Sequence, residues 1–225
     1  VKLLQEAESL TPPGKYLLSR ALYQVDKKQA ALKTLKAALT QARQNDNKQF
    51  ITNDVRIYQA TLNEACGNIG RALAIAEEVY NTEPDNARNA NFYGYLLADH
   101  NRQLEKARQL IEKALSIAGD KAAYLDSLAW VHFRQQHYDK ALELIISAMR
   151  RMQNLNDSVI FIHAGDIYAA ADYPLTAVSY WLKAFNQEAE SPRIIEEKIK
   201  EARSKSMSGE YTVPEYSGKT AASAN

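Results

Sequence analysis

The chain is poor in the residues that staple and interrupt a fold. It has one cysteine, Cys66, in 225 residues. That excludes an internal disulfide and any multi-cysteine metal centre. It leaves the compartment open, because cytosolic proteins and disulfide-free periplasmic proteins share the feature. Eight glycines and six prolines are too few for a turn-rich β fold and favour helices. No apolar run approaches the ~20 residues that span a bilayer. Neither sign of charge dominates: 28 basic and 27 acidic residues give a formal net charge of +1. Without a basic excess to neutralise phosphates, nucleic acid is not expected as the main partner. The chain also begins at Val1 rather than methionine, which reads as a fragment or a processed form with any export signal upstream.

What is present is ordinary for a globular protein: 46% hydrophobic and 24% charged residues. The length suits one or two domains with a substantial core. The informative feature is periodic. Four stretches align: IYQATLNEACGNIGRALAIA from residue 57, NFYGYLLADHNRQLEKARQLIEKAL from 91, DSLAWVHFRQQHYDKALELIISAM from 126 and HAGDIYAAADYPLTAVSYWLKAF from 163. Small residues recur in register at Ala60, Gly94, Ala129 and Gly165, then at Ala72, Ala107, Ala141 and Ala177. A third set follows at Ala114, Ala148 and Ala184, with Val79 in that place in the first stretch. Two helices approach closely only where a side chain is small, and larger apolar residues fill the gaps between. Between these positions the apolar spacing is helical, as in Ala107, Leu110, Ile111, Ala114 and Leu115. Breakers fall at the ends, in Glu83-Pro84-Asp85-Asn86, Ala118-Gly119-Asp120 and Ser191-Pro192. Each unit is therefore helix, short turn, helix.

This small–small–small spacing, with Pro closing second helices, resembles the tetratricopeptide repeat. The resemblance implies an all-α solenoid of about five helix–turn–helix repeats, at roughly 14–45, 50–85, 87–119, 121–155 and 157–189. The first unit is degenerate: its Ala31 precedes Ala72 by more than one repeat, so QNDNKQFITND must be a longer loop or extended helix. Residues 1–13 read as the end of an upstream helix and a Pro-rich turn. Residues 190–205 read as a polar capping helix, with Ser191 as N-cap and Pro192 at the first helical position. Residues 206–225 form a tail poor in core residues, of which YTVPEY is a candidate to dock on the solenoid.

No catalytic constellation is visible. His100, His132, His137 and His163 lack the H-E-x-x-H spacing of zinc proteases and any evident partner ligands, so no metal and no cofactor are expected. Ser127 lacks a G-x-S-x-G elbow. Gly67 and Gly70 lack the lysine of a phosphate loop and read as turn glycines. Cys66 reads as a small residue at a helix end, with no cationic cluster to activate it. Glu77-Glu78 and Glu196-Glu197 read as solvated helix faces.

Repeat solenoids bind through a concave surface lined by the first helix of each unit. With the first small residue as position eight, positions two, five, nine, twelve and thirteen share that face. They are Tyr16, Arg20 and Tyr23; Asp54, Ile57, Thr61 and Glu64; Asn91, Tyr95 and Asp99; Asp126, Trp130, Phe133 and Arg134; and Ile162 and Asp166. Aromatics beside carboxylates suit a partly apolar partner segment carrying Lys or Arg, although Trp130 could equally wedge between adjacent helices. The Lys and Asn pattern with which chaperone-binding repeats grip a C-terminal carboxylate is missing apart from Asn91.

A narrower resemblance rests on FYGYLLAD (92–99), AYLDSLAWVHF (123–133), HAGDIY (163–168) and SYWLKAF (179–185). They stand in the order and spacing of bacterial tetratricopeptide proteins that include envelope lipoproteins. Ala129 and Ala164 depart from that group's usual Gly and Leu. The resemblance implies a non-enzymatic, periplasm-facing adaptor, anchored at the outer membrane by a lipid upstream of Val1, which holds an envelope protease or secretion component. A cytosolic module regulating an enzyme or transcription factor is the alternative. A carbohydrate-binding module using Tyr95, Trp130 and Phe133 as stacking platforms is a third reading.

Overall fold

A computed structural model describes residues 9–152, 157–186 and 192–207. Among these, every regular element is helical. Five hairpins succeed one another: α1 (Pro12–Gln24) with α2 (Lys28–Gln44), α3 (Asn53–Ala65) with α4 (Ile69–Thr82), α5 (Ala87–Asp99) with α6 (Leu104–Ala118), α7 (Ala122–Arg134) with α8 (Tyr138–Arg151), and α9 (Ser158–Ala170) with α10 (Pro174–Phe185). Helix α11 (Pro192–Met207) follows. The chain divides into two compact units, Val1–Gly119 and Asp120–Asn225.

Local chemistry starts and stops these helices. The side-chain oxygens of Thr11, Thr52, Asn86 and Asp157 cap α1, α3, α5 and α9 by accepting from backbone N–H groups of the first turn. Each hairpin then turns the same way. A residue with positive φ stands just past the first helix: Asp26, Gly67, Asn101, Gln136 or Asp172. The next residue donates its N–H back to a carbonyl five residues earlier, as Asn68 does to Asn63 and His137 to His132, both at 2.8 Å. This satisfies carbonyls that a helix end leaves orphaned. Gly67 is thus a turn glycine, whereas Gly70 lies in the first turn of α4, a correction to its sequence assignment.

All the recurring small positions are interior. Ala60, Ala72, Ala107, Ala114, Ala129, Ala141, Ala148, Ala177 and Ala184 are fully buried, as is Val79. A Cβ on Gly94 would stand 2.7 Å from Ile111 and 2.9 Å from the Ala107 carbonyl oxygen. The long connection after α2 holds a 3-10 turn, Lys48–Phe50, and Phe50 returns its ring to the edge of Tyr16 at 6.3 Å. In the first unit the core runs through Leu32, Leu35, Leu39, Val55 and Leu62. In the second it runs through Ile145, Ile160 and Ile167, and through Phe161, Val178 and Trp181, where Ile195 and Ile199 of α11 close the end. Burying each such side chain is worth ~1.5–3 kcal/mol. The expected Ser191 cap, residues 1–8 of the upstream helix and the YTVPEY segment lie outside the described residues.

Candidate functional site

In the first unit, the face selected from the sequence forms a depression of about 570 Å³. Tyr16, Arg20 and Tyr23 enter it from α1, and Asp54, Ile57 and Thr61 from α3. Their spacings within each helix put them on one side. Three residues missing from the sequence-based set complete it, Gln24, Tyr58 and Arg88. The Tyr58 ring stands edge-on to Tyr16 at 5.4 Å and to Tyr23 at 6.4 Å. Its hydroxyl lies 3.3 Å from Ser19 Oγ, which donates to the Ala31 carbonyl at 2.8 Å. Burial raises the Tyr58 phenol above its ordinary pKa, against the Ser19 contact, so the ring stays neutral. Charge sits at the rim: the Arg20 guanidinium lies 5.9 Å from the Tyr16 ring centre, and Asp54 pairs with Arg88. The depression combines an aromatic wall with cationic and anionic groups, which suits an extended polypeptide segment with an apolar anchor.

The remaining sequence-selected residues divide. Glu64 lies in the last turn of α3, where its carboxylate meets His100 Nε2 at 2.8 Å. Asp99 ends α5 beside them. Together these three offer donor atoms within 4.8 Å of one another, which revises the expectation that His100 has no partner ligands. Asn91 and Tyr95 are half-buried and do not line the depression.

In the second unit part of the expected surface is interior, while Phe133, Arg134, Ile162 and Asp166 are half-buried. Asp126 is 4% and Trp130 6% exposed, which corrects their assignment as presented groups. The physical reason is His163 of α9, a full repeat downstream. Its ring stacks on Trp130 at 4.1 Å between centroids, and its Nδ1 lies 2.9 and 3.0 Å from the two Asp126 oxygens. Phe133 stacks on Trp130 at 4.7 Å, and the Arg134 guanidinium lies 5.5 Å from the Trp130 ring centre. Trp130 is therefore a wedge. Asp166 accepts from Trp181 Nε1 at 2.9 Å and Lys198 Nζ at 2.6 Å, tying α9 to α10 and α11. Ile162 packs against the same terminal cluster. Ser127 donates its hydroxyl to the Ala123 carbonyl at 2.9 Å rather than to the buried histidine.

No family model matches the chain. A TPR repeat-containing protein of Pseudomonas aeruginosa is 37% identical over 84 residues, which are 37% of this chain and 14% of that protein. The chain thus matches only a small part of its curated relative. A thermophilic TPR protein of Thermus thermophilus superposes with a TM-score of 0.67 at 16% identity, over 86% of this chain and 99% of the other. A tetratricopeptide repeat protein of Parabacteroides merdae gives 0.56 at 15% identity, over 85% and 84%. These likenesses show the fold, a solenoid of tetratricopeptide repeats.

Proposed function

We propose that this tetratricopeptide-repeat chain is a non-enzymatic scaffold at the bacterial cell envelope. It faces the periplasm within a lipid-anchored protein and holds a segment of another envelope protein, such as a protease or secretion component, in the depression of its first unit. One observation carries the site: Tyr16, Arg20, Tyr23, Asp54, Ile57 and Thr61, chosen by helical register alone, line one concavity. Solenoid repeats use such faces for recognition. The envelope setting is supported by the four motifs from 92 to 185 and by a bacterial repeat protein as relative.

The tyrosine wall takes an apolar or aromatic side chain, and Arg20 at the rim takes a carboxylate of the same segment. The test is retention of envelope proteins from a detergent extract by the wild-type chain and by an Arg20→Glu/Tyr23→Ala variant of matched circular dichroism. The retained protein is then purified and its affinity for both measured by calorimetry. Binding weakened at least tenfold by the variant supports the site, and equal affinity for both chains removes it. A partner found exclusively in the cytosolic fraction would overturn the envelope assignment.

A further inference from the structure

The structure assigns Glu64, Asp99 and His100 a role beyond the partner surface: we propose that they bind one first-row divalent cation, zinc as the type ion. The three side chains come from the ends of α3 and α5 in the first unit. Their donor atoms, one imidazole nitrogen and two carboxylate oxygens, lie within 4.8 Å of one another. Four-coordinate zinc holds such donors at ~2.0–2.2 Å, which places them roughly 3.3 Å apart. The His100 Nε2–Glu64 Oε1 separation is 2.8 Å, so side-chain rotations of about 1 Å bring all three into range. A donor set of one nitrogen and two oxygens suits zinc or manganese rather than soft, thiolate-seeking metals. Three protein donors leave a coordination position for water or for a donor from a bound partner.

Position supplies a second reason. A helix C-terminus carries roughly half a negative charge and favours cations. Glu64 lies in the last turn of α3, and Asp99 ends α5 with His100 as its C-cap; neither helix has a basic residue in its last turn. Two anionic side chains therefore sit where the backbone itself is electronegative. Nor does the repeat require this set. The places matching Asp99-His100 in the other hairpins are Gln24-Val25, Ala65-Cys66, Arg134-Gln135 and Ala170-Ala171, and the same turn closes each of them. The cation joins the second hairpin to the third, held at the Nε2 lone pair of the neutral imidazole in the tautomer that carries its proton on Nδ1.

Zinc chloride titrated into the chelator-stripped protein is the test, read by calorimetry and by the melting temperature. One equivalent binds, and the melting temperature rises with zinc. His100→Ala and the near-isosteric Glu64→Gln each weaken binding at least tenfold and abolish the thermal shift, while His137→Ala and Cys66→Ser leave both unchanged. Circular dichroism verifies that every variant is folded, and Glu64→Gln serves if His100→Ala unfolds. Absence of one-equivalent binding overturns the site, as does binding that survives both ligand variants or is lost in Cys66→Ser. None of these results bears on the partner depression, whose residues are untouched.

Discussion

Two glycines of the first unit should respond to the same substitution with opposite signs. Replacing a helical glycine by alanine stabilises by up to about 1 kcal/mol when the site is open, because the unfolded chain loses freedom. Gly70, in the first turn of α4, has nothing within 4 Å of an added Cβ, so Gly70→Ala should stabilise by several tenths of a kcal/mol, the first turn being worth less than the interior. At Gly94 the same methyl meets Ile111 Cγ1 at 2.7 Å, the Ala107 carbonyl oxygen at 2.9 Å and Leu110 Cβ at 3.2 Å. Ile111 is fully buried and the carbonyl belongs to α6, so neither yields without moving one helix off the other. Overpacking of this kind costs typically ~1–3 kcal/mol, against the propensity gain of about 1 kcal/mol. The net expectation for Gly94→Ala is destabilisation of up to about 2 kcal/mol. Urea unfolding followed by circular dichroism at matched slopes measures both changes. A Gly94→Ala protein as stable as Gly70→Ala would refute the close-approach account of the small positions, since that account fixes the sign.

Further consequences follow from the same contacts. Ala141→Leu and Ala148→Leu insert bulk at fully buried positions and should each cost ~1–3 kcal/mol; unchanged denaturation midpoints would mean that the helices do not approach there. Asp126→Ala strips the carboxylate from buried His163 and should cost ~1–3 kcal/mol for the polar group left behind, with a changed Trp130 emission; unaltered stability would show the pair to be dispensable. Lys106 and then Tyr93 hold the Glu77 carboxyl below the usual carboxylate range. Its contribution is therefore full above the unfolded value of ~4.3 and is lost as pH falls through the lower folded value. Because Glu77 is 47% exposed, the term stays below ~1 kcal/mol. Glu77→Gln should flatten the acid limb of the stability–pH curve, and an unchanged limb would count against the interaction.

The fold was legible because its determinant is local and repeated. A small residue marks where a neighbouring backbone passes, and Ala60, Gly94, Ala129 and Gly165 mark it in every hairpin after the first. In the first hairpin Ser19 takes that place: it is fully buried and spends its hydroxyl on the Ala31 carbonyl. A hydroxyl committed in this way reads from sequence as polar, and with the long connection after α2 it makes that hairpin look degenerate. The candidate site was legible only in part. Helical register identifies which residues share a face, and in the first unit that face is open to form the depression. In the second unit the same register selects Asp126 and Trp130, yet whether a face is open depends on what the following hairpin lays over it. Here it lays His163, and Asp126 and Trp130 become core.

The pairs that decided these outcomes share a sequence separation. Asp54 meets Arg88 across 34 residues, Glu64 meets His100 across 36 and Asp126 meets His163 across 37. A solenoid repeat contacts only its neighbours, so a side-chain pair joining two hairpins must be separated by about one repeat. Arg88 also occupies the register position of Asp54 one hairpin later, so the position rule that selected Asp54 selects its partner as well. Complementary groups one repeat apart are therefore a sequence signal for coupling between hairpins, distinct from the small residues that mark packing within one. Applied to this chain, that signal separates three chemistries on one architectural theme. An exposed pair rims the depression, a half-buried pair sits beside a second carboxylate where a cation can be held, and a buried pair locks a tryptophan into the core. Burial distinguishes the three, from exposed Asp54–Arg88 to half-buried Glu64–His100 to buried Asp126–His163, because the spacing is common to all of them.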